Sequence, residues 1–186
     1  MPNQRNQFDT QDCLERGERA ETQFARIAIS HGWKVTAAVG RQDIDEHWDV
    51  LIEKEGARYR VDVKAMKRIR RHDALTQDEW VWIELLGVRE KDRGWLYGGK
   101  ADWIAFERRQ SFVIVPRAVL ASLVLTLVDP QARVTLPELA RYKVYQRPHR
   151  PDKLTLIETT QLDKIKIEEW EKIIADKIGL TQAERK

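Results

Sequence analysis

With 186 residues, 42% hydrophobic and 34% charged, the chain is long enough to bury a core and too apolar to be disordered or fibrous. Its 33 Lys+Arg against 30 Asp+Glu leave a net charge of +3, too little to announce a nucleic-acid binder by itself. The start, MPNQRNQFDTQD, has no apolar core, so no secretory signal is expected, and the lone Cys13 excludes an internal disulfide.

In chain order, residues 1–10 are expected to form a flexible polar tail. Asp9 or Thr10 is placed to cap a helix running to about His31, with Gly32 as its stop signal. Strand-like runs follow at Trp33–Val39, Trp48–Glu53, Arg58–Lys64, Trp80–Leu86, Trp103–Glu107 and Phe112–Val115. Pro116 suits the first turn of a second helix, Arg117–Val128, which Asp129-Pro130 ends. Arg141–Gln146 and Lys153–Glu158 are further candidate strands, and Glu168–Ile178 has the pattern of a closing helix. The order predicts a mixed α/β (α+β) domain with a mixed sheet, residues 11–130 forming the core and 131–186 an extension packed on it. The apolar stretch Ala118 to Val128 is shorter than the roughly 20 residues a membrane-spanning helix needs. The four histidines (His31, His47, His72, His149) lack zinc-like spacing. A cytoplasmic protein with no membrane partner is the expectation.

The chemistry concentrates in one hairpin. The run His47-Trp48-Asp49-Val50-Leu51-Ile52-Glu53 and the run Arg58-Tyr59-Arg60-Val61-Asp62-Val63-Lys64 flank a turn containing Gly56. A turn centred between Glu55 and Gly56 sets Asp49 opposite Asp62. Alternation then puts Val50, Ile52, Val61 and Val63 on a core face and Asp49, Asp62 and Lys64 on the other. Opposed residues have Cβ atoms about 4.5–5.5 Å apart, so two acids there repel unless a cation joins them. Mg²⁺, or Mn²⁺ in its place, takes carboxylate oxygens in this way. The competing reading is a solvated face whose acids are balanced by Arg60 and Lys64.

The first helix bears on that choice. On a wheel of about 100° per residue, Leu14, Phe24, Ala25 and Ala28 lie within about 60° of Glu21, which places Glu21 inside the apolar stripe. A carboxylate facing a core is costly unless it is paired or joins a metal site.

Asp49 followed by Asp62-Val63-Lys64, with a helical Glu21 upstream, resembles the signature of the PD-(D/E)xK nuclease superfamily. Gly17-Glu18-Arg19-Ala20-Glu21 is similar to the first helix of Holliday-junction-resolvase-like members. The resemblance covers residues 17–64, and Trp48 stands where the signature usually has proline. It implies a restriction-endonuclease-like αβββαβ core, a central mixed sheet flanked by helices, and metal-dependent cleavage of DNA. Carried over residue by residue, Asp49, Asp62 and the Val63 backbone carbonyl would bind Mg²⁺. Lys64 would orient or activate the water, and Glu21 would assist through water or a second metal. The segment Gly94-Trp95-Leu96-Tyr97 to Ala101-Asp102-Trp103-Ile104-Ala105-Phe106-Glu107 is similar to parts of bacteriophage-encoded nucleases.

Gly94 to Ala101 nearly matches the phosphate-binding pattern GxxxxGK[ST], but Ala101 stands where a Ser or Thr must hold Mg²⁺. A strand–turn–strand with glycines at the bend is expected instead. Residues 58–71 hold seven bases (Arg58, Arg60, Lys64, Lys67, Arg68, Arg70, Arg71) against Asp62, a local charge of +6 that leaves −3 for the rest. Lys67, Arg68, Arg70 and Arg71, directly after the Asp62–Lys64 strand, are therefore candidate contacts to DNA phosphates. A second basic stretch holds Arg133, Arg141, Lys143, Arg147 and Arg150 against Glu138. Trp80 and Trp82 share a strand face and are expected to pack against a helix or a second subunit, as in a homodimer. The resemblance, with the basic loop beside the acids, thus implies an endonuclease acting on DNA, with branched (junction) DNA as the subtype. The alternatives are a restriction- or repair-type nuclease on ordinary duplex or single strands, and a non-catalytic DNA-binding or inhibitory protein of the same fold.

Overall fold

Helix α1 (Gln4–Ser30) opens the chain in a computed structural model that describes residues 4–40, 45–89 and 92–173. The helix begins well before the expected cap at Asp9 or Thr10, because residues 4–13 contain no glycine or proline to stop it. Much of the expected polar tail is therefore helical.

The strands β1 (Lys34–Ala37), β2 (Val50–Lys54) and β3 (Ala57–Lys64) follow. Next come β4 (Trp80–Leu86), a short helix α2 (Gly94–Gly98), β5 (Trp103–Glu107) and β6 (Ser111–Pro116). Helix α3 (Arg117–Leu127) leads to β7 (Asp129–Val134), β8 (Lys143–Tyr145), β9 (Lys153–Glu158) and β10 (Glu168–Glu171). Two mixed sheets result. The first runs β1-β2-β3-β5-β6-β10 with β3 and β5 parallel, and the second runs β4-β9-β8-β7 with β7 and β8 parallel. Parallel neighbours need a long crossover. Here the crossover from β3 to β5 carries β4 and α2, so it also supplies a strand to the second sheet.

The central strands of the first sheet are buried on both faces. On one face Ala20, Phe24, Ile27 and Ala28 of α1 pack on Val50, Ile52, Val61, Val63, Ala105, Phe112, Ile114 and Trp170. On the other, Leu51, Ile104, Phe106, Val113 and Val115 meet Ile83, Trp95, Leu96, Leu120, Val124 and Ile157 from β4, α2, α3 and β9. The architecture is therefore mixed α+β, a central mixed sheet covered by a helix on one side and by helices and a second sheet on the other.

Three further expectations are corrected. Glu168–Glu171 is not the start of a helix but an edge strand paired antiparallel to β6, with Trp170 buried and stacked on Phe24 at 5.3 Å. That burial outweighs the helix preference of its glutamates, and residues 174–178 of the expected helix lie outside the described residues. The glycine-rich stretch after Arg93 is not a bend between strands but the helix α2. Trp80 and Trp82 pack on tyrosines rather than on a helix. Trp80 sets its ring edge against Tyr142 at 5.7 Å, and Trp82 packs on Tyr145 at 5.6 Å, both within this chain.

Candidate active site

The β2–β3 turn has the geometry its sequence demands. Glu55 (φ 51°) and Gly56 (φ 84°) are both left-handed, as a two-residue hairpin turn of this type requires. The register pairs Val50 with Val61 and Lys54 with Ala57. Asp49 lies one residue outside β2 and donates its N–H to the Val61 carbonyl at 2.9 Å. Its Oδ2 accepts the Val63 N–H at 2.6 Å. Asp62 is 2% exposed, and its Oδ1 accepts a hydrogen bond from Lys64 Nζ at 2.6 Å. Asp62 Oδ2 is buried and has no hydrogen-bond partner among the described residues.

This crowding shows in the protonation of the group. Burial pushes the Asp49 carboxyl up from its usual 3.8 to about 8; the charges of Asp62 and, less, Glu21 add to the rise, while Lys64 and the Val63 N–H oppose it. Burial acts to lower the Lys64 ammonium, but the charges of Asp62 and Asp49, the hydrogen bond to Asp62 and the charge of Glu84 outweigh it, so Lys64 is held above its usual range. A buried carboxylate oxygen with no donor among the described residues, beside a second carboxyl whose proton is held by burial and repulsion, is a set of hard oxygen donors short of positive charge. The pair fits a hard divalent cation.

Glu21 stands on the flank of the apolar stripe rather than inside it: it is half-buried, while Ala20, Phe24, Ile27 and Ala28 are fully covered. Leu14, placed in the same stripe by the helical wheel, is 61% exposed. Glu21 comes within electrostatic range of Asp49. Among the described residues, no three Asp, Glu, His or Cys side chains gather closely enough to hold a metal ion by themselves. The close pair is Asp49 and Asp62.

Two neighbours of Lys64 were not legible in the sequence. Its Nζ lies 4.8 Å from the centre of the Trp95 ring on α2, and Glu84 of β4 is half-buried beside it. Burial holds the Glu84 carboxyl above its usual range, against Lys64 and the backbone N–H of Trp95, which Glu84 Oε1 accepts at 3.3 Å. The signal available was Gly94 (φ 69°), where an added Cβ would come 3.1 Å from the Glu84 carbonyl oxygen and 3.1 Å from the Leu86 nitrogen. Only glycine lets α2 approach β4 so closely.

The loop after β3 is pinned at its start and along its length. Glu107, 3% exposed, accepts the Met66 N–H at 2.9 Å and a hydrogen bond from Lys172 Nζ at 2.7 Å, with Arg19 at 3.8 Å. The Trp82 indole donates to the Arg68 carbonyl at 3.0 Å. Lys67, Arg70 and Arg71 are exposed, and Arg68 is half-buried. Arg70 pairs with Glu138 at 3.2 Å. The other bases of the run serve elsewhere: Arg60 makes a two-pronged contact with Asp102, both at 3.1 Å, and Arg58 pairs with Glu53. In the second basic stretch, Arg141 lies over Trp80 and Arg147 pairs with Asp152.

No protein-family model matches the chain, and comparison with curated proteins gives no match. Among solved structures, the chain is similar to "The structure of a bacterial homing endonuclease: I-Ssp6803I", with a TM-score of 0.44 and 18% identity over 59% of this chain and 72% of that one. A likeness at that level decides neither fold nor activity. No helix among the described residues is long and apolar enough to cross a membrane.

Proposed function

We propose that the chain is a metal-dependent endonuclease that hydrolyses DNA phosphodiester bonds at the Asp49–Asp62–Lys64 site. The observation that carries this reading is the buried Asp62 carboxylate, with one oxygen on Lys64, the other without a donor among the described residues, and Asp49 alongside. The resemblance of Asp49, Asp62-Val63-Lys64 and Glu21 to the PD-(D/E)xK signature supports the same reading. Asp49 and Asp62 would hold Mg²⁺ or Mn²⁺, with the Val63 carbonyl, and Glu21 would assist through water or a second ion. Bound there, such an ion supplies Lewis-acid stabilisation of the phosphoryl oxygens and lowers the pKa of water.

The chain's own residues supply the rest. Lys64 places a fixed positive charge where negative charge builds on the phosphoryl group, and its contact with Asp62 keeps the ammonium at the carboxylate pair. Lys67, Arg68, Arg70 and Arg71, on the loop leaving β3, would hold the DNA backbone beside the site by phosphate contacts. Branched DNA is the substrate that the resemblance of the first helix implies, and a homodimer would present two such sites for symmetric cutting.

The direct test incubates the protein with linear duplex, single-stranded and four-way-junction DNA in Mg²⁺, Mn²⁺ or EDTA. Cleavage is expected with either metal and none in EDTA, with Asp62→Ala inactive. Cutting that persists in EDTA, or in Asp62→Ala, overturns the site. Binding without cleavage on every substrate overturns the enzymatic reading in favour of a DNA-binding protein.

A further inference from the structure

We infer that Trp95 is a positioning residue for Lys64, held in place by Glu84, so that the crossover between the parallel strands completes the site. The inference rests on the nuclease reading for its catalytic consequence. Lys64 is a long, flexible side chain, and one hydrogen bond to Asp62 leaves the stem free to pivot. The face of the Trp95 ring, 4.8 Å from Nζ, closes that freedom from the opposite layer. The ring is 7% exposed and packs edge-on against Phe106 at 6.2 Å, so it is itself fixed by the core. Desolvated cation–π contacts are stronger than exposed ones, and Lys64 is half-buried.

Glu84 ties this arrangement together. Its Oε1 accepts the backbone N–H of Trp95 at 3.3 Å at the start of α2, and its charge is felt by Lys64. Gly94 lets the chain turn close enough to β4 for this contact, since any Cβ there would meet Glu84 backbone and side-chain atoms at 3.1–3.2 Å. The elements that carry Trp95 and Glu84 therefore reach the β3 lysine because the crossover folds back over the sheet, not because they are near it in sequence.

The test uses the full chain in two arms. In metal-free protein with ¹³C-labelled lysine, the Lys64 ε-methylene signal, assigned by its loss in Lys64→Arg, is expected upfield of the other lysines from the indole ring current. It should move to the common lysine position in Trp95→Leu and stay upfield in Trp95→Phe. In DNA cleavage with Mg²⁺, Trp95→Leu should lower kcat about tenfold with KM within about twofold, and Trp95→Phe should restore most of the loss. Glu84→Gln, which keeps the acceptor for the Trp95 N–H but removes the charge, should lower kcat less than Trp95→Leu and leave the ring shift in place. An unshifted Lys64 signal in the wild-type chain, or an unchanged kcat in a folded Trp95→Leu protein, overturns the assignment. Equal losses in Trp95→Leu and Trp95→Phe do so too, since they mark a merely structural tryptophan. Absence of cleavage by the wild-type chain would instead sink the nuclease reading and the catalytic role together, while the ring shift still reports the contact.

Discussion

Asp49 Oδ2 accepts the backbone N–H of Val63 at 2.6 Å, so the first acid of the site is tied to the strand residue that lies between the second acid and the lysine. This bond fixes Asp49 against Asp62 despite their mutual repulsion. The consequence is a carboxyl whose proton affinity reports on the whole site.

The Asp49 carboxyl titrates near 8 in the folded metal-free chain but at its ordinary value near 3.8 when unfolded. Between these values the folded state holds a proton that the unfolded state has released. Stability of the metal-free protein should therefore fall as pH rises from about 4 to about 8 and level off above. Urea midpoints against pH should show this slope in the wild-type chain. Asp49→Asn, which can keep the bond to Val63, should remove that part of it.

Divalent cations should reverse the same penalty. Mg²⁺ in EDTA-free buffer is expected to raise the urea midpoint, more at pH 8 than at pH 5.5, where protons compete for Asp49. Asp62→Ala should lose the effect at both values. An equal rise in Asp62→Ala would place the ion elsewhere.

In the proposed site, replacing Lys64 by Ala removes the charge that would face the reacting phosphate. Cleavage should fall by about 10²–10³-fold, the scale seen when one preorganised donor is removed. DNA affinity in EDTA should change little if, as proposed, the surface bases of the loop make the backbone contacts. Single-turnover rates and filter binding separate the two.

The loop bases should show in the salt dependence. Removing one phosphate-binding charge, by Lys67→Ala or Arg71→Ala, should flatten the plot of log affinity against log salt by about 0.9. Titrations between low and physiological salt measure the slopes.

Glu107 anchors the start of that loop from a buried position. Glu107→Ala leaves the Lys172 ammonium and the Met66 N–H without their acceptor and should cost about 3–5 kcal/mol of unfolding free energy in urea, as breaking a buried ion pair does. Glu107→Gln, which can still accept the Met66 N–H, should cost less.

What could be read from the sequence was local. The Glu55-Gly56 turn and the alternation of Val50, Ile52, Val61 and Val63 specify a register, because side chains alternate along a strand and a slip of one residue would expose the core face. The observed pairing of Val50 with Val61 is the expected one, and it sets Asp49, Asp62 and Lys64 together. The strands Trp80–Leu86, Trp103–Glu107 and Lys153–Glu158 were likewise legible, since each is a β-branched or aromatic-rich run bounded by turn residues.

Only the tertiary structure decided which of those pieces meet. Nothing near Lys64 in the chain announces Trp95 or Glu84. They arrive because β3 and β5 pair in parallel and the long crossover between them must fold back over the sheet. The same non-local burial turns Glu168–Glu171 into a strand against β6 and leaves Glu21 on the flank of its helix stripe. Local pattern sets the face each side chain presents. Which surface covers that face depends on contacts between residues far apart in the chain, and those are made only when the whole core closes.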